Sequence, residues 1–275
     1  MNPTSSAIVR FLFLLSFPQG TAASMDEPWS ARHRALSGAR CAVYADPASV
    51  AVNPSGIASL ESIAATISYI PGVVGLPELK THSITCGVPT SFGGIGIGAR
   101  RFGFDLYRET SLLVGGGVKV DDEMAVGVCS EFRRYEIKGY GAQTIVLLNC
   151  GAVKRLHEAL AVSGTIHNAL NATLGKKRER IPRTISLGVL VTLGSEFLGV
   201  CEIEKSTRDP AFLKAAIEFR PLPPVALRAG FSTDPMVWNF GCSVSAGFLS
   251  FGYGGTNYGV LGWTHQLDVD FRWQE

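Results

Sequence analysis

The chain has 275 residues, a formal net charge of +2 and six cysteines. Charged residues make up 17% of it, against roughly 25% in an average globular protein, and its 31 glycines exceed the usual ~7%. After the N-terminus no stretch approaches about 18 uncharged apolar residues, which argues against membrane-spanning helices. The near-neutral charge gives no reason to expect a nucleic acid as partner.

The first 24 residues have the pattern of a secretory signal peptide. Arg10 is followed by an apolar run over 11–17 and by small residues over 20–23. The apolar run is too short to span a bilayer as a helix, which takes about 20 residues. With low charge, this leaves two classes: a secreted all-β domain or a β-barrel of the bacterial outer membrane.

Residues 25–61 form a segment without the alternation of a strand. We expect 25–36 to be polar and loose. Residues 36–60 are rich in Ala, Ser and Gly and are interrupted at Asp46-Pro47 and Asn53-Pro54, which predicts a compact, partly helical segment before the first strand. By chemistry alone, the run Asn53-Pro54-Ser55-Gly56 is only a turn signal.

Residues 62–275 contain about fourteen strand-like runs, an even number as a single-chain bacterial barrel requires. The runs cover 62–70, 80–89, 91–102, 106–120, 123–137, 142–154, 158–171, 181–193, 196–207, 211–220, 225–232, 236–246, 248–254 and 259–273. Several alternate between apolar and polar residues, as strands with two different faces do. The connections between runs also alternate, short then longer, which is the asymmetry of an outer-membrane barrel.

The last run gives the clearest pattern. From 259 to 273 apolar residues take one parity and polar residues the other, with His265 the one polar residue on the apolar side. A strand with one apolar face, one charged face and several aromatic residues is typical of a barrel wall between lipid and lumen. Phe271 and Trp273 are similar to the terminal-strand signal read by the barrel-assembly machinery.

Alternation assigns a set of charged residues to the lumen. Both signs occur in it, which favours neutralising pairs over a charge-selective ring. The predicted lumen-facing charges are Glu131, Arg133, Lys214, Glu218, Arg228, Asp268, Asp270 and Arg272.

No catalytic, cofactor or metal site is predicted. Residues 94–99 match G-x-G-x-x-G/A, but no helical pattern follows, so a glycine-rich strand packing closely on the N-terminal segment is the better interpretation. A Ser/His hydrolase pair involving His265 is the remaining enzymatic alternative; an interfacial histidine is favoured. The six cysteines are scattered singly within strands, which predicts small apolar packing rather than disulfides.

The basic run over 175–180 is predicted to lie in an outer loop. It is either a solvated loop or a grip for anionic lipopolysaccharide or a partner protein.

Residues 38–40, Asp46 and 53–58, with Asn53, Pro54 and Gly56 at the centre, resemble the N-terminal signature of the PorV/PorQ-type outer-membrane family. That family is similar in architecture to the FadL-type fatty acid transporters. The resemblance implies that 25–61 folds into the barrel as a plug-like segment at its periplasmic end.

Two functions follow from the resemblance. One is a scaffold or shuttle in protein export of the type IX kind, with secretion-system proteins as partners. The alternative is a FadL-like passive channel for a hydrophobic solute. Outer-membrane lipids and the assembly machinery are expected partners in either case.

Overall fold

A computed structural model of the chain describes residues 27–42, 44–175 and 179–273. The predicted signal peptide over 1–24 lies outside these residues. Two short helices, α1 (Ala31–Ala35) and α2 (Ser49–Val52), and two 3-10 turns, Arg40–Ala42 and Pro54–Ser59, precede the strands. The strands are β1 (Ile63–Ile70), β2 (Thr81–Thr90), β3 (Gly93–Gly103), β4 (Tyr107–Lys119), β5 (Met124–Ile137), β6 (Gly141–His157), β7 (Leu160–His167), β8 (Thr173–Leu174), β9 (Glu179–Arg180), β10 (Thr184–Leu193), β11 (Phe197–Ser206), β12 (Phe212–Leu222), β13 (Val225–Thr233), β14 (Met236–Ala246), β15 (Leu249–Asn257) and β16 (Trp263–Trp273).

Fourteen of these strands form one closed antiparallel barrel, as the sequence predicted. Each strand pairs with the next along the chain, β7 pairs with β10, and β1 closes the ring against β16. The two-residue strands β8 and β9 form a separate hairpin outside the wall. Because the ring is closed, no wall strand leaves an unpaired edge.

The two faces of the wall differ as the alternation predicted. On β16, Thr264, Gln266 and Asp268 are buried, whereas Trp263, Leu267 and Trp273 are about half exposed. In a barrel too large to fill with its own side chains, the exposed apolar face is the outer one. Eleven residues tilted by about 40° span roughly 25 Å, the height of a lipid-facing band.

The two ends of the barrel have connections of different length. At one end, the turn end, every connection has two to four residues, as at 91–92 and 120–123. At the other, the loop end, the longest connections cover 71–80 and 168–183. Short turns on the periplasmic side and longer loops outside are the rule for outer-membrane barrels, so the loop end is the extracellular one.

Some strands are shorter than predicted, and the backbone explains why. β16 begins at Trp263, not at 259, because Gly259 (φ 63°) and Gly262 (φ 94°) take the left-handed conformation around a 3-10 turn over Gly259–Leu261. Asn168 (φ 56°) ends β7 four residues before the predicted limit. Asn is among the few residues that adopt this conformation readily.

The prediction that 25–36 is loose is wrong for its described part, 27–36. Residues 31–35 form α1, whose N-cap Ser30 accepts a hydrogen bond from the His33 backbone N–H at 3.1 Å. Arg34 and Leu36 are almost fully buried. The polar side chains misled the prediction because their partners lie on distant strands.

None of the described helices is long and apolar enough to cross a membrane.

Candidate functional site

Residues 27–60, which we call the inserted segment, lie against the inner face of the barrel. The Ala31 backbone N–H donates to the Asp268 carboxylate on β16. The Cys41 N–H donates to Glu202 Oε2 on β11 at 2.8 Å. The Asn53 side-chain amide donates to Ser163 Oγ on β7 at 2.8 Å, so the segment is held to three separate parts of the wall.

Glycines on β3, β4 and β5 let the segment approach the wall backbone. A Cβ on Gly94 would lie 2.3 Å from the Ile57 carbonyl oxygen, and one on Gly127 would lie 2.3 Å from the Pro54 carbonyl carbon. Both distances are shorter than any real Cβ contact. The G-x-G-x-x-G match therefore lies in a strand that packs closely on the segment, and β3 simply continues after it to Gly103.

Glu218 is the centre of one ion-pair cluster inside the barrel. Its carboxylate, 2% exposed, lies 2.9 Å from Arg32 Nε of the inserted segment and 2.6 Å from Arg228 Nε of β13. Arg220 completes the cluster at 2.8 Å. Removing a charge from such a buried group would leave its partners uncompensated.

A second cluster forms around Glu204 on β11. Lys214 Nζ lies 2.8 Å from its carboxylate and Arg40 Nε 3.2 Å. Lys214 Nζ also lies 3.7 Å from Glu202 and donates to the Gly38 carbonyl oxygen at 2.9 Å. Each of the two clusters therefore links a residue of the inserted segment to charged residues of the wall.

A third set of contacts holds the beginning of the segment. Arg34, 1% exposed, pairs with Glu27 and donates to Gln266 Oε1 on β16 at 2.8 Å. The Arg100 guanidinium of β3 lies 3.7 Å from the centre of the Trp29 ring and donates to the Glu27 carbonyl oxygen at 2.8 Å. A cation over an indole face is attracted by the ring's quadrupole.

A cavity of about 210 Å³ remains between the inserted segment and the loop end. Its polar lining includes Arg40, Glu204 and Lys214, and its apolar lining includes Leu147, Ile181, Phe212 and Val237. An apolar cavity of about 150 Å³ is enough to hold benzene. The space therefore suits a solute about the size of one aromatic ring.

His33 lines this cavity in an unusual state. It is 5% exposed, and both of its ring nitrogens are buried close to the Gly38 backbone. Burial, together with the nearby cations Arg40 and Lys214, lowers the pKa of the imidazole well below its ordinary value. The ring is therefore neutral at physiological pH.

A small apolar cluster covers part of the loop end. Ile181, from the 168–183 connection, packs on the inward-facing Tyr135, Ile145 and Leu147, beside Leu174 of the hairpin. Asn168 ties the connection down by donating to the Ile181 carbonyl oxygen at 2.9 Å. The connection thus folds over the inner side of β5 and β6.

The charges that alternation assigned to the lumen lie on the inner side of the wall. Glu131, Lys214, Glu218, Arg228 and Asp268 are buried there, and Arg133, Asp270 and Arg272 alternate with outward residues in the same strands. Glu131 pairs with Arg133 at 2.8 Å, and Asp270 accepts from Thr66 Oγ1 at 2.6 Å. Positive and negative side chains on the inner face therefore form pairs rather than a ring of one charge sign.

The predicted N-terminal motif lies within the inserted segment. Asn53 caps the 3-10 turn Pro54–Ser59 by accepting from the Ser55 N–H at 3.3 Å, and Gly56 is buried in that turn. The motif therefore belongs to the part of the segment that approaches the glycines of the wall most closely.

The remaining predicted positions lie on or near the outer face. Phe271 and Trp273 stack at 6.0 Å beside β1, and their role as an assembly signal stays a prediction. His265 points outward, and its ring nitrogen Nδ1 lies 2.8 Å from the hydroxyl of Tyr253 rather than from a serine. All six cysteines are unpaired. Residues 176–178 of the basic run lie outside the described residues.

Sequence reasoning missed the partners that the inserted segment supplies and two acids on β11. Glu202 and Glu204 alternate with Cys201 and Ile203, and this is the same signal that identified the other inward charges.

In the described part of the chain, no group of three or more His, Cys, Asp or Glu side chains is placed to hold a metal ion.

Comparison with known proteins supports the fold. No protein-family model and no curated protein matches the sequence. Among solved structures, a FadL homologue of Pseudomonas aeruginosa is similar with a TM-score of 0.62 and 12% identity, over 89% of this chain and 98% of that one. The monoaromatic hydrocarbon channel CymD is similar with a TM-score of 0.62 and 9% identity, over 91% and 99% of the two chains.

The Pseudomonas putida toluene transporter TodX is similar to the same degree, with a TM-score of 0.61 and 9% identity, over 91% of this chain and 100% of that one. These three neighbours share the barrel fold of this chain. The chain is therefore an outer-membrane β-barrel with a FadL-like fold.

Proposed function

We propose that this protein is a passive outer-membrane channel for small, predominantly apolar solutes. One observation carries the proposal: a cavity of about 210 Å³, lined by both apolar and polar side chains, lies inside the barrel beside the inserted segment. Neighbours of the same fold include a monoaromatic hydrocarbon channel and a toluene transporter.

In this proposal the inserted segment is the plug. Its ion pairs and close backbone contacts with the wall leave the cavity at the extracellular side, where a solute would first bind. The polar side chains of the lining, among them the Lys214–Glu204 pair, favour a ring that also carries a hydrogen-bonding group. Passage onward requires part of the segment to move, because its contacts close the space beneath the cavity.

The test is uptake by intact cells, because a lipopolysaccharide-rich outer membrane slows apolar solutes. Cells producing the protein should accumulate radiolabelled toluene faster than cells without it. Val237→Trp, which fills the cavity, should abolish most of the gain, whereas Val244→Trp, on the outer face of the same strand, should not. Equal uptake by both variants, or preferential uptake of glucose, would rule the proposal out.

The export role implied by the PorV/PorQ resemblance depends on the motif over 38–58 alone, and the FadL-like fold supports the channel better. The export role predicts that an affinity-tagged protein recovers secretion components or exported cargo from membranes. Recovery of such partners without toluene uptake would favour that role over the channel.

A further inference from the structure

The outer faces of β2 to β5 carry a cluster of cations close to the loop end. His82, Arg101, Thr110 and Arg134 are direct cross-strand neighbours on four adjacent strands. They all share the outward parity, and His82, Arg101 and Arg134 are exposed. Arg108 lies on the same face of β4, two residues nearer the loop end than Thr110.

Three guanidinium groups therefore surround Thr110. Diagonal neighbours on a sheet are separated by about 7–8 Å, within reach of long side chains. Among the described residues on this face the one acid is Glu136, which lies 3.8 Å from Arg134 Nε and directly opposite Arg108. Within the described residues, neither Arg101 nor Arg108 forms an ion pair within 4.0 Å.

The cluster begins where the apolar band ends. Two residues nearer the turn end, the outward row is Ile84, Ala99, Leu112, Phe132 and Val146, again in direct register. Its four large side chains are 44–55% exposed. Because the apolar row meets acyl chains, the cations lie at the height of the headgroups on the extracellular side of the bilayer.

The neighbouring wall on the other side of β1 is built differently. Near the loop end, the outer faces of β13 to β16 carry Phe231, Trp238, Phe240 and Trp263, and these four fully described strands have no outward Lys or Arg. Aromatic residues at the same height are the ordinary interfacial belt. The cations on β2 to β5 are thus a local feature of one side of the barrel.

Like charges on neighbouring strands destabilise a sheet unless an anion lies between them. Guanidinium groups bind phosphate with two parallel hydrogen bonds, and Thr110 adds a hydroxyl donor at the centre. A ligand that satisfies both rows must have acyl chains beside Leu112 and Phe132 and phosphates directly above them. A phosphorylated glycolipid of the outer leaflet has this arrangement.

We propose that the outer wall of β2 to β5 binds the phosphorylated headgroup of lipid A, with Arg101, Arg108 and Arg134 as the phosphate ligands. The site is independent of the cavity, since it lies on the other side of the wall. It anchors one side of the barrel in the lipopolysaccharide layer, while the aromatic side contacts the surrounding lipids without a specific headgroup site.

The test uses the full chain in detergent micelles, titrated with diphosphorylated lipid A and followed by native mass spectrometry. The triple variant R101Q/R108Q/R134Q should bind the lipid about tenfold or more weakly. The matched control K119Q/K154Q/K205Q removes the same charge at other exposed positions and should bind as the parent does. Circular dichroism of each variant checks that the barrel is folded.

Two further titrations separate the sources of phosphate. Lipid A without its phosphates should bind the parent as weakly as diphosphorylated lipid A binds the triple variant, and inorganic phosphate should not displace bound lipid A at equal concentration. Equal binding of lipid A by the parent and the triple variant, an equal loss in the control, or equal binding of the two lipids would overturn the proposal. If phosphate alone competes, the site is a general anion site and the lipid proposal is wrong.

Discussion

Glu218 is only 2% exposed and accepts hydrogen bonds from Arg32 and Arg228. It is therefore the main counter-charge of these two arginines. In Glu218→Gln the Arg228 guanidinium, 5% exposed, stays buried and loses its carboxylate partner. We expect the free energy of unfolding in lipid vesicles, measured with urea, to fall by about 3–5 kcal/mol.

Glu136→Gln is the matched control. Its carboxylate is 46% exposed and 3.8 Å from Arg134, and exposed pairs contribute less than about 1 kcal/mol. If the two variants lose the same stability, the ion pairs inside the barrel do not stabilise it more than pairs on its surface.

His33 predicts a pH dependence on the acid side of neutrality. The folded protein keeps the imidazole neutral because its pKa is lowered well below 6.5, whereas the unfolded chain takes up a proton below about that pH. The free energy of unfolding therefore gains nothing from His33 above pH 6.5 and falls as the pH drops below it, by up to about 1.4 kcal/mol per pH unit.

The measurement is the difference between parent and His33→Leu in urea unfolding from pH 7.5 down to pH 5. We expect this difference to grow with acidity. His157→Leu, at the exposed turn end, serves as the control and should follow the parent. A parallel profile for parent and His33→Leu would contradict the account, because it would show that folding does not change the pKa of His33.

At the scale of single residues, alternation was enough to assign the wall charges to the inner face, since a strand repeats every two residues. It could not assign Arg32, Arg34 and Arg40. These lie in α1 or in short turns without a period, and their partners are on strands more than 160 residues away. Such contacts exist only once the barrel has closed around the segment.

Among the elements, the inserted segment depends most on close approach to the wall. In Gly127→Ala the new Cβ would meet Pro54 at 2.3 Å, and backbone on both sides would have to move. We expect a loss of about 1–3 kcal/mol in the free energy of unfolding and faster hydrogen exchange over residues 50–58.

Gly199→Ala provides the comparison. Gly199 faces outward on β11, and the nearest atom to its Cβ, the Val191 carbonyl oxygen, lies 3.8 Å away. Hydrogen exchange over 50–58 should match the parent. If hydrogen exchange over 50–58 in Gly127→Ala is as slow as in the parent, the segment is not held against β5.

Element boundaries show where sequence reasoning ended. The number of wall strands was predicted, because each one carries its own alternation. The β8–β9 hairpin was not, since two residues per strand give no period and the cluster around Ile181 that holds it inward is tertiary. The turn over Gly259–Leu261 interrupts a run of apolar residues that reads as strand in the sequence.

For the whole molecule, the closure of β1 on β16 sets the shape. Ile63 pairs with Trp273 and Tyr69 with Leu267, so the first and last strands of the chain form one wall seam. No pattern within a short stretch of sequence predicts the register in which β1 pairs with β16. The class of fold was nevertheless predictable, since a signal-peptide pattern, two-faced strands and alternating connection lengths agree only in an outer-membrane barrel.

The central claim is that lipid surrounds this wall, and spin labels test it most directly. In a background without the six native cysteines, one label at a time is placed at Ile84, Leu112, Ile217 or Leu267, and at Tyr140 or Val260 in the loop-end connections. In reconstituted bilayers the four wall labels should collide with oxygen and avoid a water-soluble nickel chelate, while the two loop labels do the opposite. Wall labels that meet nickel as often as the loop labels do would contradict the account.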